Sequence, residues 1–296
     1  EKGGITKATS GTHTFRFVAE KVPDFVFAAS DTYLWDASSV EVEPGRRTAV
    51  AAVYHPKSKG FPDVCRYARQ SVEYFSKVMP AVPFPYPNET VFNGSGGKKY
   101  KPQQGNAQQF SQAAGSEDDI PLIVPTNQIK SQGSHGLAAY IRPAQAYTFL
   151  KEMLGDQKFL ATMHEYMRRW NGKHPMPYDY FFTFNNVLGE DLSWYWKPWF
   201  FEKSYPDLAL AEVTKGKKNK TKITVNKLGT LPTSLAIKVT FEDGTMQEIR
   251  ETARIWQNSN TYSVERDFGK KITKVSLTDV MIPDINSKNN TLEVTQ

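Results

Sequence analysis

At Tyr205-Pro206-Asp207 the hydrophobic period of this chain drops from that of helices to that of strands, and it does not change back. Beyond that point, 208–213, 222–225, 235–241, 247–250, 253–256, 261–264 and 272–277 are short alternating or β-branched runs, and Asp243-Gly244 is a hairpin turn between two of them. Seven such strands in about 90 residues predict a β-sandwich of immunoglobulin-like architecture. Cys65 is the single cysteine, so this sandwich has no disulfide and must hold by packing.

Before the switch the pattern is helical. Ile141, Ala144, Tyr147, Leu150, Met153 and Leu154 form one stripe, and Phe159, Leu160, Met163, Met167 and Trp170 form a second behind Asp156 as N-cap, which predicts an antiparallel helical hairpin. A third helix opens at Tyr178-Asp179 and ends at Gly189. Ser193 is read as the cap of a fourth, whose Trp194, Trp196, Trp199, Phe200 and Phe201 have the spacing of a buried helix rather than of a carbohydrate platform.

The first hundred residues mix both periods. Strands are read at 14–18, 25–27 and 50–54, separated by Pro23-Asp24 and Pro44-Gly45. A helix follows Asp63 and is stopped by Pro80, and 89–92 is a further strand. Asn93-Gly-Ser-Gly-Gly97 has no side chain able to pack and reads as a flexible connector, while the glutamine-rich stretch 98–119 gives no clear element.

Composition narrows the function classes. With 39% hydrophobic and 13% aromatic residues the chain is too apolar for a disordered one, and no run approaches the roughly 18 apolar residues of a membrane span. The excess of +6 is concentrated at Lys215-Gly-Lys-Lys-Asn-Lys-Thr-Lys222, where glycine and asparagine suggest a solvated turn. No aromatic residue interrupts this run to stack on bases, so no nucleic-acid partner is expected. Glu1-Lys2-Gly3-Gly4 shows no secretory leader, which leaves either a cytoplasmic chain or one whose leader has been removed.

Residues 140–207 carry a specific order of motifs: Tyr140-Ile-Arg-Pro-Ala144, Leu154-Gly-Asp156, Asn171-Gly-Lys-His174, Tyr178-Asp-Tyr-Phe181, Asp191-Leu-Ser-Trp194, Trp199-Phe200 and Tyr205-Pro-Asp207. This block resembles the end of the thermolysin-like catalytic domain in the aminopeptidase N family of zinc peptidases. Phe15-Arg-Phe17 with Pro23-Asp24-Phe25, Phe84-Pro-Tyr-Pro87, and Ala114-Gly-Ser-Glu-Asp-Asp119 fit the same family, and Asp284-Ile-Asn286 near Asn289-Asn290 is similar to its C-terminal β-domain. The resemblance implies an α+β multidomain chain. Its parts would be the end of an N-terminal β-domain (1–58), a helical metallopeptidase-like remainder (59–207, with the Gly/Ser-rich junction 94–97) and a β-sandwich (208–296). It also implies peptide partners and a periplasmic or secreted location.

The family's chemistry needs H-E-x-x-H and a further glutamate to hold zinc, with the motif glutamate as general base. The lone His-Glu pair is His164-Glu165, and the fourth position after His164 is Arg168, which cannot ligate a cation. His13, His55, His135 and His174 have no ligand spacing. The family's Gly-Met-Glu strand, expected after Val91-Phe-Asn-Gly94, is replaced by Ser95-Gly96-Gly97. The junction therefore reads as an excision of the zinc-binding segment closed by a linker, or as a natural degenerate deletion. No zinc and no other cofactor is expected in this chain.

One family residue survives. Tyr140 matches the tyrosine that donates its hydroxyl to the tetrahedral oxyanion, with a tyrosine packed at a helix N-terminus as the alternative. If the helices keep the family geometry, its hydroxyl faces a cleft that the chain must either collapse into or cover by self-association. Arg142 beside it is a candidate for a peptide carbonyl or acidic substrate group, or else a solvated first-turn arginine. Cys65 has Arg66 and Arg69 nearby but no histidine base, and reads as structural. The leading expectation is a zinc-aminopeptidase-like framework that does not hydrolyse peptides. The alternatives are an active enzyme completed by another chain or by the scattered histidines with Glu117-Asp118-Asp119, and a binding module using the C-terminal sandwich.

Overall fold

A computed structural model describes residues 29–92, 102–216, 220–277 and 279–294. The chain divides into two compact units between Tyr100 and Lys101, and both contain helices and sheet, so the fold is mixed α+β. The strands expected at 14–18 and 25–27 and the junction 94–97 lie outside the described residues.

In the first unit, β1 (Leu34–Glu43) and β2 (Arg46–Tyr54) form an antiparallel hairpin turned at Gly45, whose φ of 77° suits glycine. β3 (Asn88–Phe92) lies parallel to β2. Alternation along β2 buries Thr48, Val50, Ala52 and Tyr54, and α1 (Val64–Lys77) buries Cys65, Ala68, Val72 and Ser76 on one stripe. Val40, Val42, Val50, Ala68 and Val72 make a shared strand–helix core. Residue 58, the expected end of a first domain, lies between β2 and α1, which belong to that core. Asp63 stands at the start of α1, but its carboxylate pairs with Arg66 instead of capping a free N–H.

The helices of the second unit are α2 (Pro102–Ala113), α3 (Gln132–Gly136), α4 (Arg142–Leu154), α5 (Asp156–Trp170), α6 (Pro177–Leu188) and α7 (Ser193–Trp196). π-helical turns at Leu137–Ile141 and Lys197–Phe201 precede α4 and follow α7. Two caps differ from expectation. Gly155, at φ 76°, occupies the N-cap of α5, and Asp156 is its first residue, paired with Lys151. At α7 the N-cap is Leu192 and Ser193 is the first helical residue, with Asp191 Oδ1 accepting the Ser193 N–H at 2.9 Å and its hydroxyl at 2.5 Å. Phe110, Phe149, Leu150, Phe184, Leu192, Tyr195 and Trp199 are fully buried, so the aromatic helix packs as core, as its spacing predicts.

After Asp207 the chain forms a three-stranded sheet, β4 (Leu208–Lys215), β5 (Thr221–Lys227) and β8 (Thr261–Arg266), in the order β4-β5-β8. β6 (Leu235–Phe241), β7 (Met246–Glu251), β9 (Ile272–Ser276) and β10 (Thr291–Glu293) make a second sheet, ordered β10-β9-β6-β7. All pairs are antiparallel, and the two sheets share one core in which Leu210, Ile223 and Val225 meet Ile237, Val239 and Val275. Gly244, at φ 78°, turns the β6–β7 hairpin at Asp243-Gly244. The expected strand at 253–256 is instead a 3-10 turn. Its buried residues, Ala253 and Trp256, are three apart, which is the period of that turn and not of a strand. Of the basic run, Lys215 at the end of β4 pairs with Thr221 at the start of β5, and 217–219 lie outside the described residues.

Helices and sheets of this unit are stitched together. Trp199 Nε1 donates to the Pro232 carbonyl, Ser234 Oγ to Glu152, the Asp284 N–H to Ser111 Oγ, and Arg254 pairs with Glu190. At Gly229 a Cβ would lie 2.3 Å from the Tyr205 carbonyl oxygen and 2.6 Å from the Asp207 nitrogen, so only glycine permits this crossing.

Candidate functional site

Tyr140 sits on the π-helical turn immediately before α4 and is 67% exposed, so it does not pack into the helix N-terminus. Its ring meets the edge of His135 at 5.9 Å between centroids. The preceding turn is built from short polar side chains. Ser131 Oγ accepts the Ser134 N–H at 2.9 Å, and Asp118 Oδ1 accepts both the Ser131 and the Ser134 hydroxyls, at 2.6 and 2.9 Å. Those two hydroxyls hold the Asp118 carboxyl below its ordinary value. Gly133 leaves room for this carboxylate, since a Cβ there would come within 2.7 Å of Asp118 Oδ2.

Arg142 occupies neither place expected of it. Its side chain is completely buried, so it neither faces a substrate nor stands in solvent. Nη1 meets Asp119 Oδ1 at 2.8 Å, and Nη2 donates to the carbonyls of Pro198 at 2.8 Å and Glu202 at 2.7 Å. Burial pulls the guanidinium below its ordinary value and Asp119 opposes that pull. Asp119 Oδ2 is also engaged, accepting the Gly115 N–H at 2.8 Å. The acidic run that could have supplied metal ligands therefore has Asp118 and Asp119 committed to protein donors. Nothing in the sequence pattern marked Asp119 as the partner of Arg142, because the two come together only through the fold.

The zinc chemistry of the resembled family does not fit the residues present. Among the described residues, no three His, Cys, Asp or Glu side chains come together in a way that could hold a metal ion. Glu165, next to His164, is bound by Arg168 and Arg169, which hold its carboxyl down to about 2. His55 uses Nδ1 to accept the Lys57 N–H at 3.1 Å, and His13 lies outside the described residues. Cys65 is buried with its Sγ 3.5 Å from the Val50 carbonyl oxygen, and burial pushes the thiol up, the opposite of activation.

No family model matches the sequence, and no curated protein matches it. Among solved structures, the chain is similar to the crystal structure of Legionella pneumophila aminopeptidase A in complex with aspartic acid. The TM-score is 0.55 at 11% identity, with 84% of this chain covered. The match spans 38% of the Legionella protein. At that identity the likeness is one of fold, a peptidase-like arrangement of helices and sheets.

Proposed function

We propose that this chain is a zinc-aminopeptidase-like framework without the zinc ligands and general base, and that in this form it does not hydrolyse peptides. The observation that carries the reading is the exposed Tyr140 at the start of α4, the position that the resemblance assigns to the oxyanion donor. The fold likeness to an aminopeptidase supports it. In this reading, 1–58 is the end of an N-terminal β-domain, 59–207 the thermolysin-like remainder and 208–296 an immunoglobulin-like sandwich, and the junction 94–97 closes the place of the missing segment. A phenolic hydroxyl can donate one hydrogen bond to a peptide carbonyl or to a developing oxyanion. It cannot itself activate water, so the surviving role is that of a donor to a bound peptide.

Metal analysis of the purified chain, together with an aminoacyl-amide hydrolysis assay, tests this. The expected result is no stoichiometric zinc after dialysis and no hydrolysis distinguishable from that of Tyr140→Phe. One tightly held zinc per chain with hydrolysis that depends on Tyr140 would establish the alternative, an active enzyme.

A further inference from the structure

Two π-helical turns flank the aromatic core of the second unit, and one guanidinium connects them. Arg142 stands two residues after Tyr140, on the first turn of α4. Its Nη2 donates to Pro198 O, inside the turn Lys197–Phe201, and to Glu202 O, which closes that turn. Its Nη1 is held by Asp119, which is tied in its turn to the Gly115 N–H. A wider helical turn disturbs the regular ladder of N–H to carbonyl bonds, and carbonyls at its end need other donors. The planar fork of an arginine fits two carbonyls and a carboxylate at once, and a lysine ammonium does not.

We propose that Arg142 is a positioning residue that couples the Tyr140 turn to the turn at 197–201, so that the two open and close as one unit. The guanidinium and the Asp119 carboxylate are buried, and the bonds to the two carbonyls are partly so. Rotation of the Tyr140 turn would strip all of them at once, leaving a buried charge and two carbonyls without donors. Opening of one turn therefore entails opening of the other. The significance of this coupling for an oxyanion donor rests on the proposed function, but the coupling itself does not.

Native-state hydrogen exchange on the full chain tests it. The amides of Tyr140, Ile141 and Arg142 and those of Phe200, Phe201 and Glu202 are expected to show protection factors within about twofold of one another, with a common dependence on urea. In Arg142→Lys both sets should lose protection by about tenfold or more, while Ile237 and Val239 in β6 keep theirs. Protection factors about tenfold apart in the unaltered protein, or an Arg142→Lys protein in which both sets are unchanged, would overturn the coupling. If that variant does not fold, the measurement on the unaltered protein decides alone. Zinc uptake with hydrolysis would sink the functional reading and leave this one standing.

Discussion

Trp199 donates its indole N–H to the carbonyl of Pro232 at 3.2 Å, joining the last aromatic helical turn to the loop that leads into β6. The indole is completely buried, with Phe110, Phe149 and Tyr195 as ring neighbours at about 6 Å. Trp199→Ala should therefore cost about 3–5 kcal/mol through the cavity it leaves. Trp199→Phe, which keeps much of the ring packing but leaves the carbonyl without this donor, should cost about 1–3 kcal/mol. Urea unfolding of both variants checks the order, and equal costs would mean that the hydrogen bond contributes nothing.

Three tyrosines predict loss of stability in alkali. The Asp36 carboxylate, 2.7 Å from its hydroxyl, raises Tyr54 to about 12. Burial raises Tyr147 to about 12, and burial with a hydrogen bond to Glu251 does the same for Tyr262. The unfolded chain releases these protons near 10, while the folded chain keeps them to about 12. Stability from these groups is thus fully present below pH 10 and is lost as pH rises through 12. The urea midpoint should fall steadily over that window, with part of the phenolate absorbance appearing only at its upper end. A flat midpoint would remove the prediction.

The β-part has a core of its own, in which Leu208, Ile223, Val225, Leu235, Ile237, Val239, Ile272 and Val275 are almost wholly buried. Residues 208–296 expressed alone should give dispersed amide NMR signals, because this core lies between the two sheets. The segment should also melt at a lower temperature than the same residues in the whole chain. Separation removes the helical partners of Pro232, Ser234, Arg254 and Asp284 and the crossing at Gly229. A collapsed spectrum would show that the sheets need the helices to fold.

What the sequence made legible was whatever follows from period. The aromatic helix at 194–201 was identifiable as core because its large residues recur at helical spacing, and the Asp243-Gly244 hairpin because only certain residues make that turn. β1 is hard to see in the sequence because Asp36, Ser38 and Ser39 interrupt it and leave only Val40-Glu-Val-Glu43 in strict alternation, and α2 because its glutamines give no apolar stripe. The 3-10 turn at 253–256 resembles a strand in sequence because four apolar-rich residues are too few to separate a period of two from one of three. An arginine beside an exposed tyrosine gives no sequence signal of burial, and its partners at Asp119, Pro198 and Glu202 are remote along the chain.

Tyr140 and Arg142 stand two residues apart and should respond oppositely to mutation. Tyr140 is largely exposed, and its ring neighbour among the described residues is His135, so Tyr140→Ala should change unfolding free energy by no more than about 0.5 kcal/mol. Asp119→Ala removes the partner of a wholly buried guanidinium and should cost about 3–5 kcal/mol. Much of that cost is the stranded charge, so Asp119→Ala combined with Arg142→Met should recover stability relative to Asp119→Ala alone. Denaturant unfolding of the three variants provides the measurement. A double variant less stable than Asp119→Ala would mean that the carbonyl contacts to Pro198 and Glu202 outweigh the burial of the charge.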